Sequence, residues 1–422
     1  MVKVKRYRWY IFIILGFGYI VVYFHRLCPA VLALDMMRDL KAGGTLTGLL
    51  GSAYFYPYAI MQLPAGLLSD SWGARKSISI FLIAAFIGSI LLGAASSTFW
   101  AVLGRTMVGF GVSMLFVPTM KVLSEWFDTG EFATMSGLLI AIGGLGSLIS
   151  AAPLAWLSSW IGWRMSFVVI GIITGLISLL VWLIVRDRPE DLGLSPVSVP
   201  LHSDSDSIGL WEGVKKVLSY PWFWPVAVWL FFNATIFFAF GGLWAGPYLM
   251  HVYKLSKAGA GNILSMLSIG MIIGSPSLSY LSDQIFKARK PVLVISGFIT
   301  ILITLIMVLY TAKITIILLY VFFFLLGVFS SSVVSVGFTM TKELFPVKIA
   351  GTSIGLINLF PFLGGALFQP YIGYVLEQAG RVEGSFTITG YHKAITIFFI
   401  CAVISFAASL FTKETFILVK KP

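Results

Sequence analysis

The chain alternates between long apolar stretches and short polar ones. Twelve runs of mostly apolar residues fall at 9–34, 46–68, 77–96, 98–122, 132–157, 163–185, 222–249, 258–281, 291–311, 314–340, 350–376 and 391–411. Each is long enough to cross a bilayer as a helix, which takes about 20 residues. Barrel strands would alternate apolar and polar positions, and these runs do not. In lipid only helices and closed barrels satisfy their own backbone, so the pattern predicts an all-α membrane protein with twelve transmembrane helices. One longer polar segment, 186–221, is rich in Pro, Ser and Asp and divides the runs six and six. The expected organisation is a first six-helix bundle over 1–185, a linker over 186–221 and a second bundle over 222–422. Within the linker, "LWEGVKKVL" has amphipathic spacing, expected to turn Trp211, Val214, Val217 and Leu218 toward lipid.

The two halves repeat. "EWFDTGEFATMSGLLIAIGGLG" from Glu125 aligns without gaps on "ELFPVKIAGTSIGLINLFPFLGG" from Glu343, pairing Phe127 with Phe345, Thr134 with Thr352, Gly137 with Gly355 and Gly146 with Gly364. A second echo sets "GLLSDSWGARK" (66–76) against "SYLSDQIFKARK" (279–290). Two repeated halves place a solute site at their interface near mid-membrane, with access alternating as one half rocks on the other.

Composition agrees: 58% of the residues are hydrophobic and 11% charged, where a soluble chain carries roughly a quarter charged. A net charge of +12 would point to nucleic acid in a soluble protein. Here most basic residues outside the runs fall on one side, among them Arg75, Lys76, Arg186, Arg188, Lys287, Arg289 and Lys290, so both termini are expected in the cytoplasm. The two cysteines, Cys28 and Cys401, stand alone in apolar runs and offer neither a disulfide framework nor metal-ligand spacing. The sequence contains no nucleophile–base pair, no phosphate-cradling glycine loop and no metal cluster. Neither an enzyme nor a cofactor is expected.

Arg26, Arg105 and Lys121 are basic residues within or close to runs, whereas the acids lie in loops or at run ends. A charge at mid-membrane costs at least about 2.5–3.5 kcal/mol, so something must compensate Arg26. Arginine's planar fork grips a carboxylate or phosphate bidentately, so an anionic solute can do so. Polar stripes surround it by helical spacing: Tyr19, Tyr23 and Arg26 on span one, Tyr54, Tyr58 and Gln62 on span two, Asn233, Trp244 and Tyr248 on span seven, Asn358 and Gln369 on span eleven. His25 is the one obvious mid-membrane group that titrates near neutral pH. It is either a proton-coupling site or a structural hydrogen-bonding group.

Gly66, Leu68, Asp70, Gly73, Arg75 and Lys76 match the signature loop between spans two and three of the major facilitator superfamily, which the chain resembles over essentially its whole length. The resemblance implies a gating latch, with Asp70 at the start of span eleven near Gly351 and Arg75 paired with Glu125. "GRTMVGFG", with Arg105, Gly109 and Gly111, is similar to a second motif of that superfamily. Its glycines allow close helix approach, and Arg105 reads either as a support for neighbouring backbone carbonyls or as a direct participant. "YFHRLCPAV", "VRDRPEDLGL" and the span-eleven entry look like the branch that carries organic phosphates and related anions, where the span-one arginine binds the anion. That branch's second arginine, in span seven, has no counterpart here; Phe238 stands near its place. A singly charged or zwitterionic solute fits one arginine better than a doubly charged phosphate.

The expected function is secondary active transport of a small organic anion or zwitterion across the cytoplasmic membrane, in the direction of import, by a monomer with protons as a candidate coupling ion. Arg26, Tyr23, Tyr54, Tyr58, Asn233, Trp244 and Asn358 are the candidate solute ligands. An amino-acid or dipeptide carrier, a proton-coupled drug exporter and a transporter-fold sensor remain alternatives. Span five lacks the Gly-Pro pattern of drug/proton antiporters.

Overall fold

The computed structural model describes residues 2–195, 210–382 and 384–416. Among these, ten helices are long and apolar enough to cross a membrane. The other two predicted spans are present in pieces. Span two is three consecutive helices, Gly44–Ser52, Phe55–Ile60 and Gln62–Trp72. Span five is Thr129–Ile149 plus the first turns of Ala152–Ile184, a helix broken at Gly162 (φ 75°), beyond which span six begins.

Prolines explain several breaks. A proline lacks the N–H that its fourth predecessor's carbonyl needs. Span one runs as Val2–Leu27 and restarts at Pro29–Asp39, four residues after His25. Span four breaks at Met114 and Leu115, just ahead of Phe116–Trp126 with its Pro118. Span seven changes pitch instead: Phe223–Thr235 gives way to a π-helix over Ile236–Trp244, then Ala245–Val252. Span eight is Lys257–Tyr280 continued by a π segment at Leu281–Ile285, span ten contains another at Gly327–Ser332, span eleven is Val347–Gln378 and span twelve Ile388–Leu410. A two-stranded hairpin, Arg381–Val382 with Ser385–Phe386, links the last two.

The repeat is visible in packing. Gly146 of span five lies against the Ile20 carbonyl of span one, and Gly364 of span eleven lies 2.5 Å (measured from a Cβ added there) from the Phe231 carbonyl of span seven. Equivalent glycines thus seat equivalent helices. The linker helix Leu210–Leu218 differs from expectation: Val214 and Val217 are buried against the second half, while Trp211 is 75% exposed. Protein thus covers half of its apolar stripe, and Trp211 and Leu218 stay exposed.

Candidate functional site

Arg26 sits where the halves meet, 4% exposed. Its guanidinium carbon lies 4.6 Å from the Tyr23 ring centre and 4.9 Å from that of Tyr58, both in the first half. From the second half, Phe362 stands at 4.9 Å and Phe238 at 5.7 Å. Tyr54 and Tyr19 also face the charge. Among the described residues no carboxylate pairs with Arg26, and its Nε has no hydrogen-bond partner. Each ring face offers a desolvated cation about 2 kcal/mol. The hydroxyls of Tyr54 and Tyr58 also hydrogen-bond the guanidinium, which leaves Nε as its unmet donor and no negative charge beside it among the described residues.

Arg105 occupies a different environment three helices away in sequence. Because Pro29 has no N–H, the His25 carbonyl is orphaned, and Arg105 Nη1 donates to it at 2.9 Å. Arg105 also stacks over Tyr54 (5.2 Å), and Gly109 lets span four reach the Tyr54 backbone while Gly111 reaches span three at Ala85. The contact to the His25 carbonyl fits the supporting role considered for Arg105, while its Nε and Nη2 have no hydrogen-bond partner. The His25 ring is fully buried beside Phe24, and neither nitrogen has a hydrogen-bond partner, so the structural hydrogen bond considered for it is not formed.

Two residues expected at the site have their side-chain donors taken up by neighbouring helices. Asn233 donates to the Ser330 carbonyl at 2.6 Å and accepts from Ser330 Oγ at 3.0 Å, which locks span seven to span ten. Trp244 donates to the Gln369 carbonyl at 2.9 Å, away from Arg26. The intervening π segment destroys the 3.6-residue spacing on which both had been placed together with Tyr248. Asn358 does join the site's border, donating to Gln62 Oε1 at 2.7 Å across the two halves.

The two ends of the bundle differ. At the end carrying Asp39 and Lys257 (the far end), spans are sealed: Gly44 meets the Gly373 carbonyl, Gly48 the Gln369 carbonyl and Gly246 the Ala30 carbonyl. One ion pair and one carboxylate hydrogen-bond contact cross there. Lys257 pairs with Asp35, and Glu377 accepts from Thr45 N at 3.2 Å and Thr45 Oγ1 at 2.9 Å. At the end carrying Gly73 and Arg289 (the basic end), a Cβ added to Gly66, Gly137 or Gly351 would meet nothing within 4 Å. Of the expected latch, the Arg75–Glu125 pair is not formed among the described residues. Arg75 donates to the Trp182 carbonyl at 2.8 Å, and Glu125 faces Arg188 at 3.9 Å. Gly73 takes φ 85° in the turn, and Asp187, which sequence reasoning missed, caps the following helix through Arg75 N at 2.7 Å. The Asp70 side chain lies outside the described residues.

The family model for the Major Facilitator Superfamily matches residues 12–245 and 226–419. The chain belongs to the major facilitator superfamily. Within this superfamily it is 24% identical over 425 residues to a probable hexose phosphate transport protein of Chlamydia trachomatis serovar D, covering 95% of this chain and 90% of that one. It is 24% identical over 423 residues to the hexuronate transporter of Bacillus subtilis, covering 93% of each. A solved bacterial homologue of the human lysosomal transporter Spinster shares the fold, with TM-score 0.77 and 18% identity over 99% of both chains. Two six-span bundles and a multi-pass membrane setting follow from membership in the superfamily.

Proposed function

We propose that the protein is a secondary active transporter that moves a small organic anion or zwitterion by alternating access, in the direction of import, with Arg26 as the principal anion ligand. The observation that carries this reading is a buried, ring-lined arginine with no carboxylate partner at the junction of the halves. Relatives named for sugar-phosphate and sugar-acid transport support the solute class. A single guanidinium favours one negative charge over two. Tyr23, Tyr54 and Tyr58 complete the ligand shell. Units 1–185 and 222–422 rock about the site, with linker 186–221 and both termini in the cytoplasm, and the basic end is the cytoplasmic mouth. There Gly73, Asp70, Arg75 and Glu125 act in gating when that mouth closes.

Uptake into liposomes by Arg26→Ala and Arg26→Lys proteins tests the reading. Alanine should cost on the order of 2–5 kcal/mol of binding, as for truncating one partner of a buried charge pair. Lysine should also be impaired, because it lacks the fork. Wild-type uptake by folded Arg26→Ala protein would remove the proposal. Any proton coupling we assign to His25, since the acids lie in loops or at span ends and Arg26 and Arg105 stay protonated. Affinity for the anion should then rise as pH falls, and His25→Gln should flatten that profile. A mutant that keeps the wild-type profile and still concentrates solute makes His25 structural.

A further inference from the structure

Between Arg26 and the open basic end lie two layers that join span two to span eleven. The first is a ring pair, Tyr58 against Phe362, with centroids 4.4 Å apart. One helical turn farther out, Asn358 donates to Gln62 Oε1, while Gln62 Nε2 is held by the Tyr58 carbonyl at 3.0 Å. Gly355 marks the last approach, with Leu63 Cδ2 3.7 Å from an added Cβ, and beyond it the spans part. A solute reaching Arg26 from the basic end along spans two and eleven meets the amide pair first.

We propose that Gln62 and Asn358 are specificity-determining residues, a pair of amides whose mutual hydrogen bond is replaced by a hydroxyl of the bound anion, so that the solute is a hydroxylated monoanion. This rests on Arg26 being the anion ligand. Gln62 is 4% exposed, and a buried amide left without a partner costs about 1–3 kcal/mol. A hydroxyl suits the gap, because it can donate to Gln62 Oε1 and accept from Asn358 Nδ2 at once. An alkyl group satisfies neither. The layers are one turn, about 5.4 Å, apart, which sets the hydroxyl roughly four bonds from the anionic group. Sites built to bond a hydroxyl reject analogues lacking it far more strongly than apolar pockets reject extra polarity.

Two six-carbon monocarboxylates, gluconate and hexanoate, separate these ideas in direct binding measurements on the purified full-length protein. Wild type should bind gluconate at least about tenfold more tightly than hexanoate. In Asn358→Leu and Gln62→Leu the preference should collapse to about threefold or less, with hexanoate binding retained or tightened, which also reports that the variants are folded. Asn358→Ser, which keeps a hydroxyl, should restore part of the preference. Equal binding of the two probes by wild type, or an undiminished preference in both leucine variants, overturns the amide pair as selector while leaving Arg26 as ligand intact. Failure of wild type to bind either probe, or binding of both undiminished in Arg26→Ala, overturns the anion reading and this inference with it.

Discussion

Spans two and eleven touch at both ends of their crossing, by different means. At the far end backbone meets backbone: Gly44 and Gly373 face each other, Gly48 faces the Gln369 carbonyl, and Glu377 holds the first turn of span two through Thr45. Toward the basic end the same helices meet chiefly through side chains, Tyr58 on Phe362 and Gln62 on Asn358, with a looser approach of Gly355 to the Gln62 carbonyl. Glycine contacts leave no room for a solute or for a side chain. Side-chain contacts can be exchanged for contacts to a solute. The first kind of closure is a seal, and the second is a door.

The comparison is broken most directly by adding bulk to the seal. Gly48→Val places a Cβ into the Gln369 carbonyl, and overpacking of this kind costs about 1–3 kcal/mol against the sealed state. Reactivity of a thiol introduced at Gly66, on the open side, should fall about five- to 150-fold as the population shifts. Gly351→Val, at a site with open space in this arrangement, should not lower that reactivity. Equal effects from both variants would mean that the two ends do not differ as described.

A smaller effect is expected from the ionic clasp. Asp35→Asn and Glu377→Gln each weaken a contact between the halves at the partly exposed far end, where single pairs are worth about 0.2–1 kcal/mol. Each should shift thiol reactivity by less than about fivefold, in the same direction as Gly48→Val. Since the two acids hold different helices, the double variant should be close to additive. Strong coupling between them would show one network in place of two clasps.

The smallest effect concerns a second comparison, between the repeated loops of the halves. Each loop's following helix is capped by an acid lying just past the last span of its half: Asp187 on Arg75 N, and Glu414 on Arg289 N and Lys290 N. The loops then diverge. Arg289 is nearly buried and pairs with Asp283 and with Glu343 at 2.8 Å, whereas Arg75 reaches only a carbonyl. Thus the arginine–acid contact expected of the first loop is formed in its repeat. Burial raises the Glu414 pKa, but the backbone N–H groups of Arg289, Phe416, Lys290 and Thr415 outweigh it and hold it below the ordinary 4.5. A depressed carboxyl pKa stabilises the fold above the unfolded value and is lost as pH falls through the folded one. Thermal stability should therefore decline modestly below about pH 4.5, and Glu414→Gln should lose part of that decline.

Much of this was legible in the sequence. Apolar run length gave the spans because hydrocarbon thickness is a single global constraint, and the gapless echo from Glu125 to Glu343 reflects equivalent helix seats at Gly146 and Gly364. Arg26 stood out because a buried cation is rare and costly. Periodicity failed where the helix itself changes pitch, and the π segment of span seven sent Asn233 to span ten and Trp244 to the seal. Phe362 escaped notice because an aromatic residue in an apolar run carries no signal until its neighbour across the interface is known. Asp187 and Glu414 were overlooked because each acts on a helix far away in sequence. The pairing of Arg75 depends on which end is parted, a property of conformation that composition does not encode.

The solitary state of Arg26 has a consequence for turnover. Whenever the protein reverses its access with the site empty, a guanidinium without a counter-charge has to pass through a state closed at both ends. With an anion in place the same passage is made by a neutral pair. If only the ~2.5–3.5 kcal/mol of an unpaired mid-membrane cation separates the two barriers, the loaded carrier reorients about a hundredfold faster than the empty one. Return of the empty carrier then limits net flux, and solute waiting on the opposite side speeds the cycle by riding back. On that premise, a carrier with Arg26 as its anion ligand would exchange one solute for another more readily than deliver either alone.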